Sequence, residues 1–273
     1  MQPLVIVVVI AATVSLFCWT ASLVTKDTSW VDRLWSIVPV VYVWVFAIAA
    51  GMSDPRLDLM AALVTLWGAR LTFNFARKGG YTGMEDYRWA VLRARMSPVR
   101  WQLFNAFFIV LYQNALLVLI ALPALTAWEH RGTPLTGWDV ALAALFLALL
   151  VGEMIADQQQ WDFQKAKAAE IAAGRTPQAN FVQTGLWRFS RHPNFFFEQA
   201  QWWVLFFFGV VAAGSPWQWT VVGAALLTVL FVGSTSFTES ITRGKYPEYE
   251  DYRRTTSAVI PWIPRRVSEQ APA

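Results

Sequence analysis

Apolar and polar positions in this chain alternate in long blocks, not with the two-residue period of a half-buried strand. A helix that crosses hydrocarbon needs about 20 largely apolar residues. By that rule the pattern predicts about seven spans, near Leu4–Val24, Leu34–Gly51, Leu57–Ala76, Leu103–Trp128, Val140–Ala156, Phe196–Ala213 and Trp217–Phe237. Ser53-Asp54-Pro55 joins the second to the third and Gly214-Ser215-Pro216 the sixth to the seventh, both turn-forming runs. No basic segment precedes Leu4 and further apolar runs follow, so the first block reads as a membrane helix and not a cleaved leader. The expectation is an all-α polytopic membrane protein, with one domain over residues 1–266 and a flexible tail over 267–273.

Composition agrees. Of 273 residues, 56% are hydrophobic and 15% charged, against roughly 25% charged in a soluble domain. Sixteen Trp and nineteen Phe, many flanking the apolar runs, suit interfacial belts. Cys18 is the one cysteine and His130 and His192 the two histidines, so a disulfide or a Cys- or His-rich metal cluster is not expected. Basic residues gather after the third run (Arg77, Lys78, Arg88, Arg93, Arg95, Arg100), after the fifth (Lys165, Lys167, Arg175, Arg188, Arg191) and in the tail (Arg243, Lys245, Arg253, Arg254, Arg265, Arg266). The loop after the fourth has only Arg131. That bias predicts an outside N-terminus and a cytoplasmic C-terminus, as in a bacterial inner membrane. It also explains the positive charge without nucleic acid, and the sequence indicates no protein partner.

Four polar clusters lie on the predicted cytoplasmic side. Ser190, Arg191, His192, Asn194 and Glu198 stand where the sixth span begins. Pro193 suits the first turn of a helix, which would put Asn194 and Glu198 on one face. Read blandly, this is a capped, headgroup-anchored helix end. Polar groups at a membrane edge read equally as a functional site. Glu153, Asp157, Gln160 and Gln164 share a face of the fifth helix, with Gln164 expected in solvent. Arg70, Asn74 and Arg77 share a face of the third, followed by Gly79-Gly80, where backbone could approach a ligand, and by Glu85-Asp86-Tyr87-Arg88-Trp89. Lys245 to Arg254 interleaves tyrosines with basic residues, either a surface segment at headgroup level or a grip for adenine and phosphate. Neither G-x-G-x-x-G nor a P-loop is present, so any nucleotide is held by side chains and helix ends.

Gly185-Leu186-Trp187-Arg188-Phe189-Ser190-Arg191-His192-Pro193-Asn194-Phe195, then Glu198 and Trp202-Trp203, resembles the signature of the steroid 5α-reductase superfamily. It is most similar to the bacterial branch long filed as a domain of unknown function. Val31 to Pro39, Leu66 to Asn74, Glu85 to Trp89, Ala156 to Gln159, and Tyr246 to Tyr249 through Ile260-Pro261 fit that branch in order. The resemblance implies a seven-helix enzyme holding NADPH among its cytoplasmic loops. It implies cofactor contacts from Asn194 and Glu198, from Asp157 and Gln160, and from Tyr249 and Tyr252. Arg191, His192, Arg70, Asn74 and Arg253 complete the expected cofactor set.

The implied chemistry is hydride transfer to the activated C=C bond of a lipid-like substrate, steroid or isoprenoid-like, in an apolar cavity. A donor must polarise the conjugated carbonyl as charge builds on its oxygen. Steroid reductases use a Tyr with a nearby Gln–Glu pair. Here the Tyr position falls near Trp67, and Asp32 to Ser36 lacks the pair. The expected catalytic candidates are Tyr87, Tyr112 and Asp32. Membrane methyltransferases of the isoprenylcysteine and phospholipid type carry a similar Arg-His-Pro and use S-adenosylmethionine. They usually have Gly where Glu198 stands, and a Glu pair that Glu239 and Glu248 match loosely. A non-enzymatic membrane binding protein is the third reading.

Overall fold

The structure is a computed structural model, and it describes residues 2–265. The expected tail, 267–273, lies outside the described residues, as does Arg266. Among the described residues the fold is all helical, its one β feature an isolated bridge between Ser190 and Ser257. Seven helices among the described residues are long and apolar enough to cross a membrane: Pro3–Thr25, Trp30–Ala49, Pro55–Arg77, Pro98–Glu129, Gly137–Ala172, Pro193–Ala213 and Val221–Lys245. They match the seven predicted blocks in order, and the chain is an integral membrane protein.

The boundaries differ where polar residues continue a helix past its apolar run. The fifth span runs to Ala172, beyond the predicted end at Ala156, through a Gln-, Lys- and Ala-rich stretch that favours helix. The seventh begins at Val221 instead of Trp217, because residues 214–220 form a turn, and it runs on to Lys245. The second opens with the short helix Trp30–Trp35, breaks at Ser36-Ile37, and resumes with Pro39 in its first turn. The fourth is π-helical over Asn105–Tyr112.

Two compact units make up the chain. One comprises Met1–Leu147 with Trp202–Leu227; the other comprises Ala148–Gln201 with Thr228–Ala273. In the first, the second and third spans pack closely at Gly68. A Cβ there would collide with the Ser36 carbonyl and the Val40 side chain, so only glycine admits the approach. Ser36 Oγ and Thr72 Oγ1 hydrogen-bond at 2.7 Å beside it. Trp67 meets Trp202 edge to face at 4.7 Å. At the turn before the third span, Asp54 caps Leu57 N at 3.0 Å and accepts Gly132 N at 2.8 Å. Next to it Arg56 Nε meets Asp139 Oδ1 at 2.6 Å, with both side chains almost wholly buried. That ion pair, absent from the sequence-based expectations, ties the loop ahead of the fifth span to the third.

In the second unit, the segment 185–192 links the fifth and sixth spans. Its 3₁₀ turn Gly185–Arg188 is fixed by Gln159, whose Oε1 accepts Leu186 N at 2.9 Å, and by Trp187, whose Nε1 donates to the Ala156 carbonyl at 3.1 Å. The short helix Tyr249–Thr255 and the extended residues after it pack on this segment.

Candidate functional site

Pro193 opens the sixth span, so Asn194 and Glu198 lie one turn apart on a helix, as the spacing predicts. The residues just before it turn inward. Arg191 is buried, and its guanidinium meets Glu239 through Nε at 2.6 Å and Nη2 at 3.1 Å. Its Nη1 donates to the carbonyls of Arg253 and Thr256. His192 Nε2 stands 3.2 Å from Glu239 Oε1, and Arg253 Nε donates to Glu239 Oε2 at 3.1 Å. Tyr249 Oη donates to Glu239 Oε1 at 3.4 Å. Glu239 is therefore a buried hub that gathers four of the expected cofactor residues: Arg191, His192, Tyr249 and Arg253.

By sequence, Glu239 matches the methyltransferase Glu pair only loosely. It fell outside the predicted seventh span, which stopped at Phe237. The available signal was that Glu239 is the sole acidic residue between Val221 and Lys245. A carboxylate on a membrane-edge helix needs a cation partner.

Tyr252 donates to the Trp187 carbonyl, and its ring lies nearly parallel to Phe181, 5.6 Å away. Tyr249 meets Phe181 edge to face at 4.9 Å. Both tyrosines are buried, and burial raises their phenol pKa values well above the usual value. Both rings thus pack against Phe181 within the protein. Glu248, on the surface, is held below the ordinary carboxylate range by a hydrogen bond from Asn180 at 2.6 Å.

Other buried polar groups of this unit lie outside the Glu239 network. The side-chain oxygens of Asn194 and Gln160 are buried without a partner. Asp157 and Glu198 are buried carboxylates. Glu153, one turn before Asp157, accepts Gln201 Nε2 at 2.7 Å. Gln164 is exposed, as expected. The face predicted on the fifth helix thus divides into a buried half and a solvated one.

The first unit holds the other candidates. Asp32 Oδ2 accepts Trp89 Nε1 at 2.9 Å. Arg33 donates to the Gly80 carbonyl at 3.0 Å and to Asp27 at 2.6 Å. Glu85 accepts from Thr28 and Arg93. Asp86 caps the helix Tyr87–Arg93. Burial works against the Arg88 charge, but its hydrogen bonds to Asp86 and the nearby charges of Asp86 and Asp32 raise its pKa on balance, so its charge is fixed. The two early motifs therefore fold into one polar knot. Gly80 lies so close to the Phe75 ring that a Cβ would overlap it, so the close approach is made by Phe75 and Arg33. Asn74 is buried and accepts Arg77 Nε at 2.9 Å; Arg70 lies one turn earlier on the same helix.

Tyr87 is half exposed, and Tyr112 stacks on Phe108 at 5.4 Å. The tyrosine missed by sequence reasoning is Tyr42 of the second span: fully buried, with no hydrogen-bond partner for its hydroxyl. Such a group in the interior of a membrane protein is a functional-site signal. Among the described residues no cluster of three or more His, Cys, Asp or Glu side chains could hold a metal.

A family model described as "Protein of unknown function (DUF1295)" matches residues 18–256. An uncharacterized protein of Schizosaccharomyces pombe is 39% identical over 264 residues, covering 89% of this chain and 75% of that protein. No solved structure matches.

Proposed function

The chain belongs to the DUF1295 family, and from that premise we propose that it is a membrane-embedded, NADPH-dependent reductase of a lipid-like C=C bond. The observation that carries this reading is the division of polar groups in the second unit. Arg191, His192, Tyr249 and Arg253 are held by Glu239. Asn194 and Gln160 keep buried oxygens without partners. A buried acceptor left unpaired costs about 1–3 kcal/mol, so it calls for a donor. Carboxamide, adenine amine and ribose hydroxyl groups are such donors. Buried carboxylates at Asp157 and Glu198 accept ribose hydroxyls well. The steroid 5α-reductase-like signature over Gly185 to Glu198 supports the same assignment.

In this reading Asn194, Glu198, Asp157 and Gln160 are the cofactor contacts. Arg191, His192, Tyr249, Tyr252 and Arg253 hold the shape of the pocket through Glu239 and Trp187. Arg70 and Asn74 remain proposed phosphate-side contacts. When bound, NADPH supplies the hydride that saturates a bond conjugated to a carbonyl. The protein must then donate a hydrogen bond to that carbonyl oxygen and exclude water. Tyr42 joins Tyr87, Tyr112 and Asp32 as the proposed donor, and its buried, unpartnered hydroxyl makes it the first to test. The basic loops support a cytoplasmic cofactor site.

Titration of the detergent-solubilised protein with NADPH and with S-adenosylmethionine tests the reading. NADPH binding is expected, abolished by Asn194→Ala or Glu198→Ala while far-ultraviolet circular dichroism is retained. Binding of S-adenosylmethionine alone would overturn it in favour of a methyltransferase. Binding of neither would leave a non-enzymatic membrane protein.

A further inference from the structure

After the helix Tyr249–Thr255 the described residues, 256–265, have no regular structure, yet they are firmly held. Arg191 N donates to the Ser257 carbonyl at 2.8 Å, Ser190 Oγ to the Val259 carbonyl at 2.7 Å, and Trp262 N to the Phe189 carbonyl at 2.9 Å. Arg265 N returns to the Thr255 carbonyl at 2.8 Å and closes the segment into a loop. The loop encloses a groove of about 410 Å³ walled by Arg253, Arg254, Arg265, Thr256, Trp262 and Ile263. The groove lining includes three arginines and no acidic residue.

A pinned backbone should bury its large apolar side chains. This one does the reverse: Ile260, Trp262 and Ile263 are 66%, 71% and 77% exposed. Fixed, exposed Trp and Ile beside arginines suit the membrane interface, where rings sit at headgroup level and guanidinium groups pair phosphates. The depth is right, because the segment is hydrogen-bonded to Phe189 and Arg191, immediately before the sixth span begins at Pro193. Among the described residues Arg254 has an exposed ion pair with Asp251, 68% and 74% accessible, which a phosphate can replace.

We propose that this groove binds the headgroup phosphate of an anionic phospholipid, with Arg254 and Arg265 on the phosphate and Trp262 and Ile263 against the lipid. A soluble nucleotide fits less well, since it would leave the Trp262 face wet. The proposal stands whether or not the chain is a reductase.

Native mass spectrometry of the full chain, offered phosphatidylglycerol or phosphatidylcholine at equal concentration, tests it. Preferential retention of phosphatidylglycerol is expected. Arg254→Gln with Arg265→Gln should weaken it roughly fivefold per arginine. Arg254→Lys with Arg265→Lys should keep most of it, and Trp262→Ala should weaken retention of both lipids. Equal retention of the two lipids by the unaltered protein would overturn the proposal. So would an unchanged preference in the Gln variant, or displacement of phosphatidylglycerol by inorganic phosphate or NADPH.

Discussion

Arg191 and Glu239 are joined by two hydrogen bonds, 2.6 Å and 3.1 Å long, between the residues just before the sixth span and the cytoplasmic-side end predicted for the seventh. The pair is buried, with side-chain exposures of 8% and 7%. Removing one partner of such a pair typically costs about 3–5 kcal/mol, because the other charge stays buried and uncompensated. Glu239→Gln is therefore expected to lower the unfolding midpoint and to abolish NADPH binding together. An unchanged midpoint would show that Glu239 does not hold the site together.

Gln160 and Gln164 offer a contrast within one helix. They are one turn apart, yet Gln160 has a buried, unpartnered oxygen and Gln164 is exposed. Gln160→Ala is expected to weaken NADPH binding by roughly 1–2 kcal/mol, the worth of a hydrogen bond made to a ligand. Gln164→Ala should leave it unchanged. Isothermal titration of both variants checks this, and equal effects would remove Gln160 from the site.

Arg56 and Asp139 form the strongest predicted weak point of the first unit. Their side chains are 2% and 0% exposed, and Asp139 also accepts from Thr136. Asp139→Ala leaves the guanidinium without its carboxylate and should cost about 3–5 kcal/mol. The double change Arg56→Met with Asp139→Leu should recover most of that loss, since apolar replacement of a whole buried pair is often neutral. Thermal melts of the three proteins decide it; a double variant as unstable as the single would refute this account.

Tyr249 and Tyr252 set an alkaline limit. Burial raises both phenols above their ordinary value of about 10. Their folded-state values exceed the unfolded ones, so their contribution is fully present below about pH 10 and is lost as pH rises through the folded values. An absorbance titration should lose one late-ionising phenol in Tyr249→Phe and another in Tyr252→Phe, relative to the unaltered protein. Ionisation of both at ordinary pH in the folded protein would contradict their burial.

Much was legible before any fold was known. Seven membrane helices follow from block hydropathy, because hydrocarbon demands that each crossing segment satisfy its own backbone hydrogen bonds. The faces shared by Asn194 and Glu198, and by Asp157 and Gln160, follow from helical spacing alone. Pro193 marks its helix start by its ring and missing N–H. What spacing could not tell was which polar groups meet one another. Arg191 and Glu239 are 48 residues apart, and Arg56 and Asp139 are 83 apart. A pairing over such distances depends on how helices pack and rotate. Only the tertiary structure could therefore decide that Arg191, His192 and the tyrosines turn inward on Glu239 and Phe181, while Asn194 and Gln160 keep buried oxygens without a partner.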